Sequence, residues 1–233
     1  MIKLTKKPKN ALVIEGFPGF GLIGTITTEF LIEHLGCEKI GTYFFEELPA
    51  TIAMHNGEII NPVTVYYSTK SNIILIHAIT AATGIEWKTA DLVIDICKQV
   101  NAKELISLEG VGSAEASGER VFYYSTDKKR SQMLQANKIQ ALEEGIIVGV
   151  TSSLLLKAEF PHTCIFAETH SNLPDSKAAA SVIKVLDKLL GLKIDPQPLL
   201  DQAEKFEAKI KQILEQTELA SQEKEKKQMN YVG

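Results

Sequence analysis

Long apolar runs, paired cysteines and an excess of basic residues are all missing from this chain, and each absence removes a class of protein. No apolar stretch reaches the ~20 residues that cross a bilayer. The basic start Met1-Ile2-Lys3-Leu4-Thr5-Lys6-Lys7-Pro8 leads into an apolar run too short for a secretory leader. Cys37, Cys97 and Cys164 lie far apart with no C-x-x-C pair, which leaves neither a disulfide framework nor a zinc signature and fits reduced thiols in a cytosolic protein. With 25 Lys and Arg against 29 Asp and Glu, a formal charge of -4, the chain offers no strongly basic domain for nucleic acid. The expectation is a cytoplasmic protein with no membrane and no nucleic-acid partner. Its five histidines, His34, His55, His77, His162 and His170, show no metal-ligand spacing. No serine sits in a G-x-S-x-G elbow.

What is present is a strand–helix alternation. Ala11–Glu15 reads as a buried strand and Thr25–Leu35 as the helix after a glycine loop, with Gly36 as its stop. A strand follows at Lys39–Phe45. The turn His55-Asn56-Gly57-Glu58, flanked by Ile52, Met54, Ile59 and Ile60, signals a β-hairpin. Asn72–Ala78 is a continuous apolar run, as in a strand covered on both faces. Helices are expected at Ile85–Val100, Lys129–Glu143, Gly149–Lys157 and Asp175–Leu190, and strands at Glu104–Leu108, Arg120–Ser125 and Cys164–Glu168. The pattern is that of a three-layer α/β/α sandwich with a largely parallel sheet, to which the hairpin adds antiparallel strands.

The glycine loop admits two readings. Gly19-Phe20-Gly21-Leu22-Ile23-Gly24 has the G-x-G-x-x-G spacing of a dinucleotide turn between a strand and a helix. A nucleotide- or small-molecule-binding enzyme would use it together with the strand-end acids Glu109 and Glu168. Against that, Gly16-Phe17-Pro18 stands between the strand and the fingerprint, whereas a phosphate turn follows its strand directly. In the other reading the glycines shape an unusual turn and let the helix pack closely. Phe17 and Phe20 are then exposed or seal a neighbour, which favours an interface. A triad of Ser113, His170 and Asp175 can be drawn, but no spacing selects it.

Beyond Ile194-Asp-Pro-Gln-Pro198 the composition turns charged. Ala203, Phe206, Ile210, Ile213, Thr217 and Ala220 alternate spacings of three and four, a coiled-coil-like seam that packs on its own domain or on a second subunit. Three regions are therefore expected: an α/β core over 1–193, a charged helix over 194–222 and a flexible tail over 223–233.

The ordered set Gly16-Phe-Pro-Gly-Phe-Gly-Leu-Ile-Gly24, Leu48-Pro49 with the hairpin and Gly57, Gly110-Val111-Gly112, Gly149-Val150 with Leu154-Leu155, and Leu173-Pro174-Asp175 with Ala178–Ala180 and Leu199-Leu200 resembles the proteasome assembly chaperone family in its archaeal and bacterial single-domain form. The resemblance spans nearly the whole chain. It implies a phosphorylase/hydrolase-like sandwich with no established catalytic centre, homo-oligomers, and binding to proteasome α-subunits or to a ring of them; no cofactor and no metal are expected. It also implies docking through a C-terminal tail that ends in a hydrophobic residue, tyrosine and any residue. Here the end is Met229-Asn230-Tyr231-Val232-Gly233, with tyrosine third from last and Asn230 in place of the hydrophobic residue. The partner-binding candidates are Phe17, Phe20, Tyr231, Val232 and Gly233.

Overall fold

The computed structural model describes residues 2–55, 57–112, 120–169, 173–201 and 212. An eight-stranded sheet runs in the order β2-β5-β6-β1-β7-β10-β8-β9. Its centre is parallel and buried on both faces: β1 Leu12–Gly16, β6 Ile73–Ala78, β7 Glu104–Gly112 and β10 His162–Thr169. Their apolar runs, such as Ile73-Ile-Leu-Ile-His-Ala78, are what a strand covered on both sides requires. β2 (Glu38–Tyr43) and β5 (Val63–Ser68) extend one side, where β5 is antiparallel to both its neighbours. β8 (Val121–Ser125) and β9 (Gln140–Ala141) extend the other.

Helices cover both faces. α1 (Ile23–His34) and α5 (Ser176–Leu190) lie on one, packed on Leu12, Ile14, Ile106, Leu108 and Ile165. α2 (Glu86–Val100) and α4 (Val150–Lys157) lie on the other, packed on Val13, Ile74, Ile76 and Leu105. Fully burying each such side chain stabilises the fold by roughly 1.5–3 kcal/mol. The helix ends follow local chemistry. Asp175 accepts the Ala178 amide at 2.9 Å as N-cap of α5, and Gly191 closes the helix in the left-handed region at φ 64°. The α/β architecture with a largely parallel sheet is as the strand–helix alternation implies.

Two expectations need correction. Helix α3 covers Lys128–Ala136, not Lys129–Glu143. Lys138 adopts a left-handed φ of 62°, which ends the helix; Ile139 then turns into the core beside α5, and Gln140–Ala141 pair with β8. The hairpin β3 (Ala53–His55) and β4 (Glu58–Ile60) forms its own two-stranded sheet rather than joining the large one. Pro62, which has no amide hydrogen, separates β4 from β5 and breaks any continuous ladder. A short helix α6, Gln197–Asp201, begins after Pro196. The remainder of the charged seam, apart from residue 212, and the tail with Tyr231, Val232 and Gly233 lie outside the described residues.

Candidate functional site

The site is the rim formed by the carboxyl ends of the parallel strands. In open α/β sheets, ligands enter the crevice where neighbouring strands send their connections to opposite faces. Here that point lies at β1, which sends its chain to α1 on one face while its parallel neighbour β6 sends its chain to α2 on the other. The glycine loop occupies it. β1 ends at Gly16, Phe17-Pro18 cross the strand end, and a 3₁₀ turn at Phe20–Leu22 leads into α1. Gly21 adopts φ 63°, a conformation that glycine takes without strain.

The loop is seated by main-chain contacts that leave no room for a side chain. A Cβ on Gly110 of β7 would lie 2.0 Å from the Phe20 carbonyl oxygen. One on Gly16 would lie 2.1 Å from the Gly24 carbonyl oxygen, so α1 packs directly on the strand. Leu22 N–H donates to the Gly19 carbonyl at 3.0 Å, and Asp175 N–H donates to the Gly21 carbonyl at 2.9 Å, which ties the loop to the start of α5. Thr169 Oγ1 donates to Asp175 Oδ2 at 2.9 Å, completing that joint.

Beneath the loop stand two acids. Glu15 is completely buried, and burial, with the carboxyl of Glu109 nearby, pushes its pKa up to about 8 against a hydrogen bond from Ser107. Glu109 is raised to about 7, again chiefly by burial. Its Oε2 accepts from Thr151 Oγ1 at 3.1 Å and its Oε1 from the Gly110 amide at 3.2 Å. A Cβ on Gly19 would lie 2.2 Å from that same Oε1. The crevice is thus filled by the chain itself, and a phosphate entering it would meet carboxyl oxygens. The nucleotide reading is not favoured.

The other strand-end candidates are bound up in the scaffold. Glu168 pairs with Arg120 at 2.7 Å. Asp175 holds α5 and Thr169, while Ser113 and His170 lie outside the described residues. His162 begins β10 at the far end, and His77 is a core histidine whose Nδ1 and Nε2 sit 2.9 Å from Thr28 Oγ1 and 3.1 Å from Glu29 Oε2.

Of the two loop phenylalanines, only one faces water. Phe17 is buried, 5% exposed, against the α2–α4 core, because it follows β1 on the same side as Val13. Phe20 is 43% exposed at the centre of the rim. Two apolar patches flank it that the sequence did not single out. On one side the hairpin turns a cross-strand pair, Met54 opposite Ile59, outward with Ile52, beside a groove of about 580 Å³ lined by Phe44, Phe45, Leu48 and Pro49. On the other side Ile146, 92% exposed, and Val148 lie just before α4, and Ile146 shares a cavity of about 810 Å³ with Val111, Gly112 and Glu168. The run Ile146-Ile147-Val148 between Gly145 and Gly149 was a visible signal, because apolar β-branched residues between glycines lack the polar partners of a surface loop. Exposed apolar side chains of this kind suit a macromolecular surface better than a small polar ligand.

The fold and rim together define a three-layer α/β scaffold with a self-filled crevice and an apolar brim. The class has a family. A sequence profile of the PAC2 family matches residues 13–214, and the chain belongs to that family. The crystal structure of Pyrococcus furiosus PbaA, an archaeal homologue of proteasome-assembly chaperone, superposes with a TM-score of 0.83 at 30% identity over 95% of this chain and 99% of PbaA. P. furiosus PbaB, an archaeal proteasome activator, shares the fold with a TM-score of 0.74 at 22% identity over 91% and 98% of the two chains. An uncharacterised Methanocaldococcus jannaschii protein is 28% identical over 222 residues, 92% of each chain.

Proposed function

We propose that this chain is a non-enzymatic, proteasome-assembly-chaperone-like protein that meets proteasome α-subunits, or a related ring partner, through its apolar rim and its C-terminal tail. The observation that carries the reading is the nearly full-length similarity to PbaA at 30% identity. The rim supports it: Phe20, Met54, Ile59 and Ile146 stand exposed around a crevice that the glycine loop already fills. Homo-oligomers and a cytoplasmic location belong to the same proposal.

Pull-down with cognate proteasome α-subunits tests it, comparing the full chain, a chain truncated after Lys227, and a Phe20→Ala, Met54→Ser, Ile59→Ser variant. Capture by the full chain supports the reading, and no capture by any form overturns it. Loss on truncation assigns docking to Tyr231, Val232 and Gly233, whereas equal capture removes the tail from the mechanism. Central apolar anchors carry about 2 kcal/mol or more each, so the rim variant is expected to bind at least 30-fold more weakly.

A further inference from the structure

The large sheet has two ends, and they are finished differently. At β2 the edge is guarded. Thr5 donates its N–H at 2.8 Å and its Oγ1 at 3.1 Å to the carbonyl of Ile40, the extra residue of a bulge between Lys39 and Gly41. Ile2 and Leu4 beside it are buried in the core, and Lys6 pairs with Glu38 at 2.6 Å. A bulge, a covering segment and charges are ways in which proteins keep an edge from pairing with another chain. At β9 there is no such cover among the described residues. Gln140 and Ala141 are both exposed, and β9 ends the sheet against β8. The ladder runs one residue past β9, because Leu142 N–H donates to the Tyr123 carbonyl at 2.8 Å.

Successive residues of a strand turn their main-chain groups to opposite sides. Leu142 faces β8 with its N–H, so the N–H and C=O of Ala141 face outward. Lys138 stands three residues before Ala141 and Glu144 three after. Both are exposed, and neither forms an ion pair among the described residues. A two-fold axis at Ala141 therefore suits the segment to its own copy. Ala141 would exchange two N–H···O bonds with Ala141 of the other copy, and Lys138 of each would come beside Glu144 of the other. Axes at Gln140 or Leu142 would set Lys138 against Leu142 or Ile146 instead, so charge selects the register. The side chains agree. Tyr123 lies in the core on the α5 side, which leaves Phe122 and Tyr124 on the opposite face, with Gln140 and Leu142 beside them. Tyr124 is exposed, and Phe122, Leu142 and Ile146 line the cavity of about 810 Å³ next to the edge.

We propose that β9 is a self-recognition edge, at which two copies of this chain pair antiparallel about Ala141 and join their eight-stranded sheets into one. The outward main-chain groups of Ala141 make the bond, Lys138 and Glu144 fix its register, and the Phe122–Leu142 faces of the two copies meet as one apolar surface. This gives the homo-oligomer of the proposed function its interface and rests on that reading. Phe20, Met54 and Ile59 take no part in it and stay open to a different partner.

Light scattering on the full chain, read from about 1 to 100 μM, should give a mass that rises to twice that of the monomer. Ala141→Pro removes the outward N–H from both copies. That amide takes no part in the ladder with β8, so the variant should keep its far-ultraviolet ellipticity and urea midpoint. Its dimer should be about 30-fold weaker, from the loss of two hydrogen bonds. Lys138→Glu sets like charges side by side and should also weaken the dimer, and adding Glu144→Lys should restore it. If Ala141→Pro fails to fold, this charge exchange decides the matter. A native chain that stays monomeric, or that forms a ring with an odd number of copies, overturns the two-fold edge. A dimer unmoved by Ala141→Pro overturns the β9 interface and leaves self-association standing, and a double exchange that does not recover the single change overturns the Ala141 register. Capture of α-subunits is read separately, so its failure is distinct from any of these.

Discussion

Gly110 and Gly112 stand two residues apart on β7, yet the structure gives them opposite tolerance for a methyl group. A Cβ at Gly110 would lie 2.0 Å from the Phe20 carbonyl oxygen and 2.8 Å from its carbonyl carbon, main-chain atoms that no rotamer change can move. A Cβ at Gly112 would meet nothing within 4 Å. Neither glycine has positive φ, so backbone strain does not distinguish them. In Gly110→Ala the loop must rise by about 1.5 Å to reach an ordinary contact of ~3.5 Å. That movement weakens the Leu22–Gly19 and Asp175–Gly21 bonds of 3.0 and 2.9 Å. Overpacking costs about 1–3 kcal/mol, and each of the two bonds, if lost, adds about 1 kcal/mol, giving roughly 3–5 kcal/mol in all. Gly112→Ala should stay within about 0.5 kcal/mol of the native chain. Urea unfolding, followed by Trp87 fluorescence and far-ultraviolet ellipticity, reads the difference. With a slope of about 2–3 kcal/mol per molar, Gly110→Ala should lose more than 1 M in midpoint and Gly112→Ala about 0.2 M. Equal midpoints for the two variants would refute the account of the loop as a seated, close-packed element.

Glu15→Gln should flatten the dependence of stability on pH. The Glu15 pKa is raised from 4.5 to about 8 in the folded chain. The unfolded chain therefore releases this proton first, and the contribution of Glu15, fully present below pH 4.5, is lost as the pH rises to about 8. The variant should match the native chain near pH 4.5 and exceed it at pH 8.5 by a few kcal/mol, at about 1.4 kcal/mol per pH unit; thermal unfolding at both pH values checks this, and equal stability at pH 8.5 contradicts it. At the opposite end of β7, the buried Glu104 carboxylate accepts from Arg130 Nε at 2.9 and 3.1 Å and from Thr163 Oγ1 at 2.7 Å. Arg130→Met should destabilise the fold by about 3–5 kcal/mol, and the double change with Glu104→Leu should recover most of it; a double variant no more stable than the single one would argue against an uncompensated buried charge.

Much of the scaffold was legible because local and tertiary preferences agree. The apolar run over Asn72–Ala78 reads as a doubly covered strand and forms one at Ile73–Ala78, and Asp175 and Gly191 mark both ends of α5. Where the reading overran, a tertiary contact had intervened: Ile139 is drawn into the core only because the chain leaves the helix at Lys138. The Asn-Gly turn announced a hairpin, but nothing local to it said that its Met54–Ile59 face would stay in water. Phe17 and Phe20 look equivalent in sequence and part company because one follows the pleat of β1 inward while the other lies past Pro18. The acid pair was the least legible feature. Glu15 closes an otherwise apolar run, which hints at burial, but its closeness to Glu109 follows from the adjacency of β1 and β7.

That adjacency also explains why a G-x-G-x-x-G spacing serves here without a phosphate. In a dinucleotide turn, missing side chains make room for a ligand, and the helix N-terminus supplies a favourable field. Here the missing side chains make room for the protein's own backbone: Gly16 for the Gly24 carbonyl and Gly110 for the Phe20 carbonyl, with a carboxyl oxygen against Gly19. An anion would have to displace main chain and then face two acids. What the close packing achieves instead is to hold the half-exposed Phe20 on a loop that runs directly into α1 and is bonded to the N-cap of α5. A side chain presented in a fixed position loses less freedom on association than one on a mobile loop. The same glycines that would have served a small ligand therefore suit the protein contact proposed for Phe20.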